Sequence, residues 1–183
     1  MRIISGKYKG KKINPPGNLL LRPTTDFAKE GLFNYLNNKI NFEGISVLDL
    51  FCGTGNITYE FASRGAEYIT CVEANYKCSE FIKKTIQNLS DSNIKVINTD
   101  VFKFITSDNN TYDLIFADPP YDLQQAHTLP ELIFERKLLN KEGIFILEHP
   151  KEKIFSTHPF FEEMRSYGKV NFSFFIYKCE FKG

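Results

Sequence analysis

The chain reads Ser46-Val47-Leu48-Asp49-Leu50-Phe51-Cys52-Gly53-Thr54-Gly55-Asn56 where its sequence pattern changes. The apolar run predicts a buried strand over residues 45–50, the glycines Gly53 and Gly55 predict a tight turn, and helical periodicity begins directly afterwards. Glycines in such a turn let the backbone approach a bound ligand closely. This stretch therefore predicts an α/β fold with a ligand site at the turn.

Short apolar runs alternate with helical segments from here to residue 148, which is typical of a mostly parallel sheet covered by helices. Strands are predicted at 45–50, 68–73, 94–98, 112–117 and 143–148, and helices at 56–64, 76–89, 101–106 and 127–138. Two aromatic-rich runs, Phe160–Tyr167 and Val170–Phe181, flank Gly168-Lys169 and predict a closing antiparallel hairpin. This order predicts the Rossmann-like sheet of class I methyltransferases, because a dinucleotide-binding sheet would continue with another parallel strand and helix.

The segment before residue 45 is basic and differs from the rest of the chain. Arg2-Ile3-Ile4 and Lys11-Lys12-Ile13 predict two short strands of a small β-hairpin, and Thr24 or Thr25 can cap a helix that reaches about Asn37. Residues 1–30 contain seven basic and two acidic side chains, a charge of +5, so the other 153 residues sum to −4. Such an asymmetry is expected of a segment that contacts phosphates, and a solvated terminal tail is the alternative interpretation.

The composition is that of an ordinary globular chain of 183 residues, of which 42% are hydrophobic and 25% charged. This length predicts a single domain over residues 1–183, with a basic hairpin and helix in 1–40 and a catalytic core in 41–183. No apolar run approaches the roughly 20 residues of a membrane-spanning helix and no secretory signal is visible, so a cytoplasmic protein without membrane association is expected. The cysteines lack a CxxC pair and have no histidine at metal-ligand spacing, which argues against a metal site and a disulfide framework: Cys52, Cys71, Cys78 and Cys179.

Three acidic side chains lie at or just after the ends of the first three predicted strands and indicate the kind of ligand. Asp49 would repel a pyrophosphate but suits an ammonium group, such as that of the methionine moiety of S-adenosylmethionine. Glu73 lies 24 residues after Asp49, close to the roughly 20 expected of a ribose-binding carboxylate. Asp100 is expected to accept a hydrogen bond from the adenine amine, with the backbone of Val101 completing that edge, and helix capping is its alternative role. The residues expected to bind S-adenosylmethionine are Asp49, Phe51, Cys52, Gly53, Thr54, Gly55, Asn56, Glu73, Ala74, Asp100 and Val101.

The candidate catalytic loop is Asp118-Pro119-Pro120-Tyr121, which follows the fourth predicted strand. An exocyclic base amine is a poor nucleophile because its lone pair is delocalised into the ring, so a catalyst should accept hydrogen bonds from both N–H groups. Asp118 can supply one acceptor and the carbonyl of Pro119 another, and the two prolines restrict where that carbonyl points. Tyr121 can stack on an extruded base. A loop in which two prolines only end a strand is the alternative, but ligands of open α/β sheets bind in this crevice.

Together these residues resemble the RsmD-type family of bacterial 16S rRNA (guanine-N2)-methyltransferases over nearly the whole chain. The resemblance is carried by the opening Arg2-Ile3-Ile4-Ser5-Gly6-Lys7-Tyr8-Lys9-Gly10-Lys11, by Leu21-Arg22-Pro23-Thr24-Thr25-Asp26 with Lys29-Glu30 and Leu32-Phe33-Asn34, by Ser63-Arg64-Gly65-Ala66, by the catalytic loop and by Tyr167-Gly168. It implies methyl transfer to N2 of one guanine of 16S rRNA, in a partly or fully assembled small ribosomal subunit. The residues expected to contact RNA are Arg2, Lys7, Lys9, Lys11, Lys12, Arg22, Thr24 and Thr25.

The chain departs from the family pattern in two places. The family has arginines within the stretch after its Arg-Pro-Thr signature, where this chain has Phe27, Ala28 and Lys29, and its glycine turn continues with a small residue, where this chain has Asn56. The first departure removes positive charge from a segment expected to lie near the cofactor or RNA. Neither departure touches the cofactor carboxylates or the catalytic loop.

Two other functions remain open at this point. An Asp-Pro-Pro-Tyr loop also suits adenine N6, so a DNA adenine-N6 or other nucleic-acid amino-methyltransferase is one alternative, although the chain has no room for a separate DNA-recognition domain. A non-catalytic RNA-binding assembly factor is the other. Asp49, Glu73 and Asp118 argue against the latter, because a binding protein would not need all three carboxylates.

Overall fold

A computed structural model describes residues 1–19 and 25–177 of the chain. The predicted RNA contacts Arg22 and Thr24 lie outside the described residues, as do Cys179 and the end of the strand predicted to reach Phe181. The Leu21–Thr24 part of the second family signature lies outside them as well.

In the described residues seven strands form one sheet in the order β3-β2-β1-β4-β5-β7-β6. The strands are β1 (Ser46–Leu50), β2 (Tyr68–Glu73), β3 (Ile94–Asn98), β4 (Tyr112–Ala117), β5 (Leu139–Pro150), β6 (Phe161–Tyr167) and β7 (Val170–Ile176). The first five are parallel, and β7 pairs antiparallel with both β5 and β6. The predicted Rossmann-like sheet with a C-terminal antiparallel hairpin is therefore confirmed.

The helices cover both faces of this sheet. They are α1 (Asp26–Asn37), α2 (Asn56–Arg64), α3 (Tyr76–Leu89), α4 (Val101–Ser107) and α5 (Leu129–Glu135). Leu32, Phe61 and Ile82 of the first three helices are buried in one apolar cluster, whereas Ile105 and Ile133 of α4 and α5 are buried in another. Burial of both faces explains why the parallel strands read as nearly continuous apolar runs.

Two predicted boundaries near the fifth strand are wrong. The strand begins at Leu139 rather than at residue 143, and its pairing with β4 shifts register between Tyr112 and Leu114, which lets the extra residues join the sheet. The helix predicted over 127–138 is a short 3-10 helix, Gln124–Thr128, followed by α5. The left-handed conformation of Lys137 (φ +54°) cannot continue a helix, so α5 ends before it.

The N-terminal arm, residues 1–13, forms less sheet than the sequence predicts. A single antiparallel bridge joins Arg2 and Lys12, in place of two strands. The reason is that the arm bonds to α2 instead: the amides of Ile4 and Ser5 donate to the carboxylate of Glu60 at 2.9 and 3.1 Å. Amides used in this way cannot extend a β-ladder, so the hairpin prediction reduces to one bridge and a docked loop.

Helix α1 connects the arm to the far edge of the sheet. Thr25 accepts a hydrogen bond from the Ala28 amide and caps the helix, as predicted. The ring of Tyr35 packs on Phe174 of β7, and a side chain at Gly31 would lie 2.2 Å from the ring of Tyr167. The N-terminal extension is thus packed against both the core and the C-terminal hairpin. No helix in the described ranges is both long and apolar enough to span a membrane.

Candidate active site at the carboxyl ends of the strands

A cavity of about 590 Å³ opens at the carboxyl ends of the parallel strands. It lies where the strand order reverses between β1 and β4, the usual ligand position in an open α/β sheet. Its volume falls within the range of roughly 300–1,000 Å³ that is typical of small-molecule sites. Its walls are formed by Thr25, Asp49, Phe51, Cys52, Gly53, Thr54, Asn56, Ile57, Glu73, Ala74, Asp100, Val101, Phe102, Phe116, Asp118, Pro119, Pro120, Tyr121, Leu123, Gln125, Glu148 and Val170.

The glycine turn between β1 and α2 has the conformation that its sequence predicts. Gly53 and Gly55 adopt φ values of +56° and +86°, where side chains are disfavoured. Gly55 is the one predicted cofactor residue that does not line the cavity; it packs on Tyr59, and a Cβ there would lie 2.7 Å from the ring. Phe51 also has a positive φ, +59°, which is uncommon for a non-glycine residue and places its backbone under strain at the cavity wall.

Asp49 is buried in the floor of the cavity and is 1% exposed. Burial raises the pKa of Asp49 to about 7, with the negative charge of Glu73 adding to the increase. A hydrogen bond from the Thr58 hydroxyl, 2.5 Å from Asp49 Oδ2, opposes that increase by favouring the ionised form. Asp49 belongs to β1, and Thr58 of helix α2 orients its carboxyl group in the cavity.

Glu73 connects the end of β2 to the glycine turn. One carboxylate oxygen accepts a hydrogen bond from the Gly53 amide at 2.8 Å, and the other accepts one from the Asn75 amide at 2.7 Å. A carboxylate has about four lone-pair sites, so these bonds leave acceptor capacity that faces the cavity. Asn98 supports this corner by donating to the carbonyls of Glu73 and Ala74.

Asp100 lies where it can both cap a helix and contact a ligand in the cavity. Its side chain accepts a hydrogen bond from the Lys103 amide at 2.9 Å and caps α4. It also lines the cavity together with Val101 and Phe102. The residues Asp49, Glu73 and Asp100 therefore lie at the carboxyl ends of three neighbouring strands, β1, β2 and β3.

The candidate catalytic loop follows β4, which lies on the other side of β1 from β2 and β3. Asp118, Pro119, Pro120 and Tyr121 all line the cavity, and the amide of Asp118 donates to the Leu50 carbonyl at 3.3 Å. This bond ties the loop to the end of β1, next to the glycine turn. Tyr121 is 36% exposed, so its ring is accessible from solvent at the cavity mouth.

The two departures from the family pattern meet in a buried polar cluster beside the cavity. The ammonium of Lys29, 1% exposed, donates to Asn56 Oδ1 at 2.9 Å and to the Arg2 carbonyl at 2.7 Å, and lies 3.8 Å from Glu60. Burial lowers the pKa of Lys29, and the charge of Glu60 opposes that decrease. Lys29 is therefore an internal connector between the arm and the first residue of α2, whereas Phe27 is 68% exposed.

The predicted RNA-contacting residues do not form one group. Thr25 lines the cavity, whereas Lys7, Lys9, Lys11 and Lys12 lie on the exposed surface of the arm. The turn of the arm rests on the carboxyl end of α2, because the Lys7 amide donates to the Ser63 carbonyl. Its first residue lies at the other end of that helix, where Met1 contacts Thr54. Lys7 forms a 3.0 Å ion pair with Asp91, which leaves less of its charge available to a partner.

Several cavity residues were not identified from the sequence. They are Ile57, Phe102, Phe116, Leu123, Gln125, Glu148 and Val170. For Glu148 a signal existed, because it ends a predicted strand as Glu73 does. For Gln125 and Val170 there was none, since only the fold brings the loop before α5 and the start of β7 to this cavity.

Comparison with known proteins gives one consistent result. A family model described as conserved hypothetical protein 95 matches residues 1–176. Ribosomal RNA small subunit methyltransferase D of Buchnera aphidicola is 34% identical, with 81% of this chain and 75% of the relative covered. The protein of the same name from Escherichia coli is 30% identical, with 87% and 79% covered.

Solved structures agree with this result. Escherichia coli yhhF superposes with a TM-score of 0.83 at 27% identity, and the match covers 96% of each chain. The structure of SMU.776 in complex with SAH matches with a TM-score of 0.66 at 18% identity, covering 80% of this chain and 48% of that one. The second match supports the fold alone.

Proposed function

The chain belongs to the family described as conserved hypothetical protein 95, that of the RsmD-type 16S rRNA (guanine-N2)-methyltransferases, and from this premise we propose its reaction. It transfers a methyl group from S-adenosylmethionine to the exocyclic N2 of one guanine in small-subunit rRNA. The observation that carries the proposal is that Asp49, Glu73 and Asp100 line the same cavity as the Asp118–Tyr121 loop.

The chemistry of this cavity fits S-adenosylmethionine. The cofactor supplies a methyl group on a cationic sulfonium, which makes that carbon electrophilic. Asp49 is proposed to bind the ammonium group, Glu73 the ribose hydroxyls, and Asp100 with the Val101 amide the adenine edge. Phe51, Ala74, Phe102 and the glycine turn complete the proposed binding site and supply apolar walls on either side.

The catalytic loop is proposed to act on the amine of the target guanine. Asp118 and the Pro119 carbonyl accept hydrogen bonds from the two N–H groups, which favours a pyramidal nitrogen with an available lone pair. The new N–C bond forms as the bond between the methyl carbon and the sulfonium sulfur breaks, with its electron pair remaining on sulfur. N2 gains positive charge in this step, and Asp118 accepts the proton that it releases. Tyr121 stacks on the extruded base. Because the electrophile is already activated, the reaction requires no metal.

The substrate is proposed to be a partly or fully assembled small ribosomal subunit, which the protein meets in the cytoplasm as one functional domain over residues 1–183. Support comes from the exposed basic residues of the N-terminal arm, Arg2, Lys9, Lys11 and Lys12, together with Lys7. These residues can contact phosphates while the target base enters the cavity. Thr25, which lines the cavity, is proposed to contact RNA as well, and the same role is proposed for Arg22 and Thr24.

The test uses labelled S-adenosylmethionine and small subunits from a strain that lacks the modification. We expect one guanine to be labelled, and subunits that already carry the modification to remain unlabelled. Asp118→Ala is the matched control: it should lose turnover while retaining affinity for S-adenosylhomocysteine in calorimetry. A protein that labels DNA in a parallel reaction but does not label small subunits would contradict the proposal. A loss of cofactor affinity in Asp118→Ala that parallels its loss of turnover would contradict the role of Asp118.

A further inference from the structure

Glu148 is a buried acidic residue of the cavity that the proposed mechanism does not yet use. It lies near the end of β5, its side chain lines the cavity, and it is 3% exposed. Removing a carboxylate from water is costly, so glutamate is rarely this buried unless neighbouring groups stabilise it. Because it lines the cavity, this carboxylate can contact a base that enters there.

The register of the sheet places Glu148 beside the catalytic loop. Ala117 of β4 pairs with Leu147 of β5, so Asp118 and Glu148 are the next residues of two strands whose backbones lie about 4.8 Å apart. Both residues line the same cavity. Glu148 also shares the wall of a smaller neighbouring cavity with Pro119, Pro120 and Tyr121. A base held by the loop would consequently meet two carboxylates at adjacent positions.

This arrangement complements guanine and not adenine. The Watson–Crick edge of guanine presents the N1–H and N2–H donors side by side, and an extruded base is read through that edge. Adenine presents an acceptor at N1, whose lone pair would face a carboxylate. Acceptors at positions 118 and 148 therefore match the first base and oppose the second, which gives selectivity by repulsion as well as by attraction.

We propose that Glu148 accepts a hydrogen bond from N1–H of the target guanine and selects this base against purines that lack that donor. The inference rests on the proposed function and extends it, because it assigns base selection to a residue outside the Asp118–Tyr121 loop. The bond also places N2 next to Asp118, so the same contact positions the reacting amine.

The test compares two target bases in one enzyme. Small subunits are reconstituted with 16S rRNA that carries either guanine or 2-aminopurine at the mapped position; 2-aminopurine retains the 2-amine but has an acceptor at N1. The two substrates compete for labelled S-adenosylmethionine in one reaction.

The wild-type protein should prefer guanine, and Glu148→Gln should lower that preference by about 10- to 100-fold, because glutamine can donate to N1 of 2-aminopurine. Glu142→Gln, an exposed residue at the other end of β5, is the matched control and should leave the preference unchanged.

The competition ratio is independent of how much enzyme is folded, so a poorly folding variant still gives a result. Glu148→Ala, which removes both acceptors, should also lower the preference. If methylation of guanine and of 2-aminopurine falls by the same factor in both variants, the ratio is unchanged. That outcome would overturn the proposal and leave Glu148 a structural residue. If the wild-type protein labels neither subunit but binds S-adenosylhomocysteine, the proposed function has failed, and that outcome differs from a failure of base selection.

Discussion

Asp49 lowers the stability of the ligand-free protein and is available to bind a cationic ligand. Burial raises the pKa of its carboxyl group to about 7, above the value of roughly 3.9 in an unfolded chain. The ionised form is therefore disfavoured in the folded protein without ligand, and Asp49 opposes folding increasingly as the pH rises from about 4 to about 7. A cationic ligand reverses this cost by stabilising the carboxylate.

Cofactor affinity should consequently depend on pH. Below pH 7 a bound ammonium group must first drive Asp49 to ionise, so the affinity for S-adenosylhomocysteine should fall by up to about tenfold per pH unit. Calorimetry between pH 5.5 and 8.5 measures this dependence. Asp49→Asn should bind S-adenosylhomocysteine weakly, with an affinity that does not change with pH. Without ligand, this variant should unfold at a higher temperature than the wild-type protein at pH 8. A flat wild-type profile would contradict the assignment of Asp49 to the ammonium group.

The hydrogen bond between Lys29 and Asn56 joins two residues at which the chain departs from the family pattern. Asn56 supplies an acceptor to an ammonium that is buried beside Glu60. An arginine at position 29 has a longer side chain than lysine, so its guanidinium should collide with the Asn56 amide. A small residue at position 56 should make room for that guanidinium. The two positions are thus expected to be energetically coupled.

A double-mutant cycle tests this coupling by chemical denaturation. Lys29→Arg alone and Asn56→Ala alone should each destabilise the protein, and the double variant should be more stable than their sum predicts by at least ~1 kcal/mol. Lys39→Arg changes an exposed lysine near the same helix and serves as the control, with little expected effect. Additive effects of the two substitutions would show that the contact is incidental.

At the scale of elements, the docking of the N-terminal arm on α2 depends on a close approach of two backbones. Gly6 and Gly10 have nearly equal φ values, +82° and +83°, but a Cβ at Gly6 would lie 1.7 Å from the Ser63 carbonyl, whereas a Cβ at Gly10 has open space around it. The two glycines therefore separate steric exclusion from backbone strain.

Gly10→Ala should cost only the left-handed strain of about 1–2 kcal/mol, and Gly6→Ala should in addition undock the arm. Hydrogen exchange at the amides of Ile4, Ser5 and Tyr8 is the measurement, because these amides donate to Glu60 and Ser63. We expect their protection to be lost in Gly6→Ala and largely kept in Gly10→Ala. Equal protection in the two variants would mean that contact with Ser63 does not hold the arm.

At the scale of the whole molecule, the net charge of +1 conceals a basic arm attached to an acidic body. Replacing Lys9, Lys11 and Lys12 with alanine should weaken binding to small subunits and lower the slope of log affinity against log salt by about 2–3, because up to three fewer counterions are released. Filter binding at several salt concentrations measures the slope. Lys141→Ala, at the amino end of β5 and remote from the cavity, should leave it unchanged.

Lys7→Ala provides an internal comparison within the same surface. Its ammonium already pairs with Asp91, so its removal should change the slope less than removal of Lys9 or Lys12. If none of the four lysines affects the slope, the arm is a solvated segment of structural importance only.

The sequence by itself determined the features that depend on local patterns. The apolar runs predicted the strands, the glycines at 53 and 55 predicted the turn, and acidic residues at strand ends marked one edge of the sheet. This was possible because apolar runs of strand length, glycine conformation and helix capping each depend on only a few consecutive residues. The arm and the closing hairpin were predicted in position, although the arm was assigned more β-structure than it forms.

Only the tertiary structure decided which distant residues meet. Glu148 lies beside Asp118 because β4 and β5 are neighbours in a particular register, and Lys29 reaches Asn56 because α1 packs against α2. The arm forms one bridge instead of the two predicted strands because Glu60, more than 50 residues away, accepts hydrogen bonds from its amides. Such contacts depend on strand order, register and packing over the whole chain, so no local pattern encodes them.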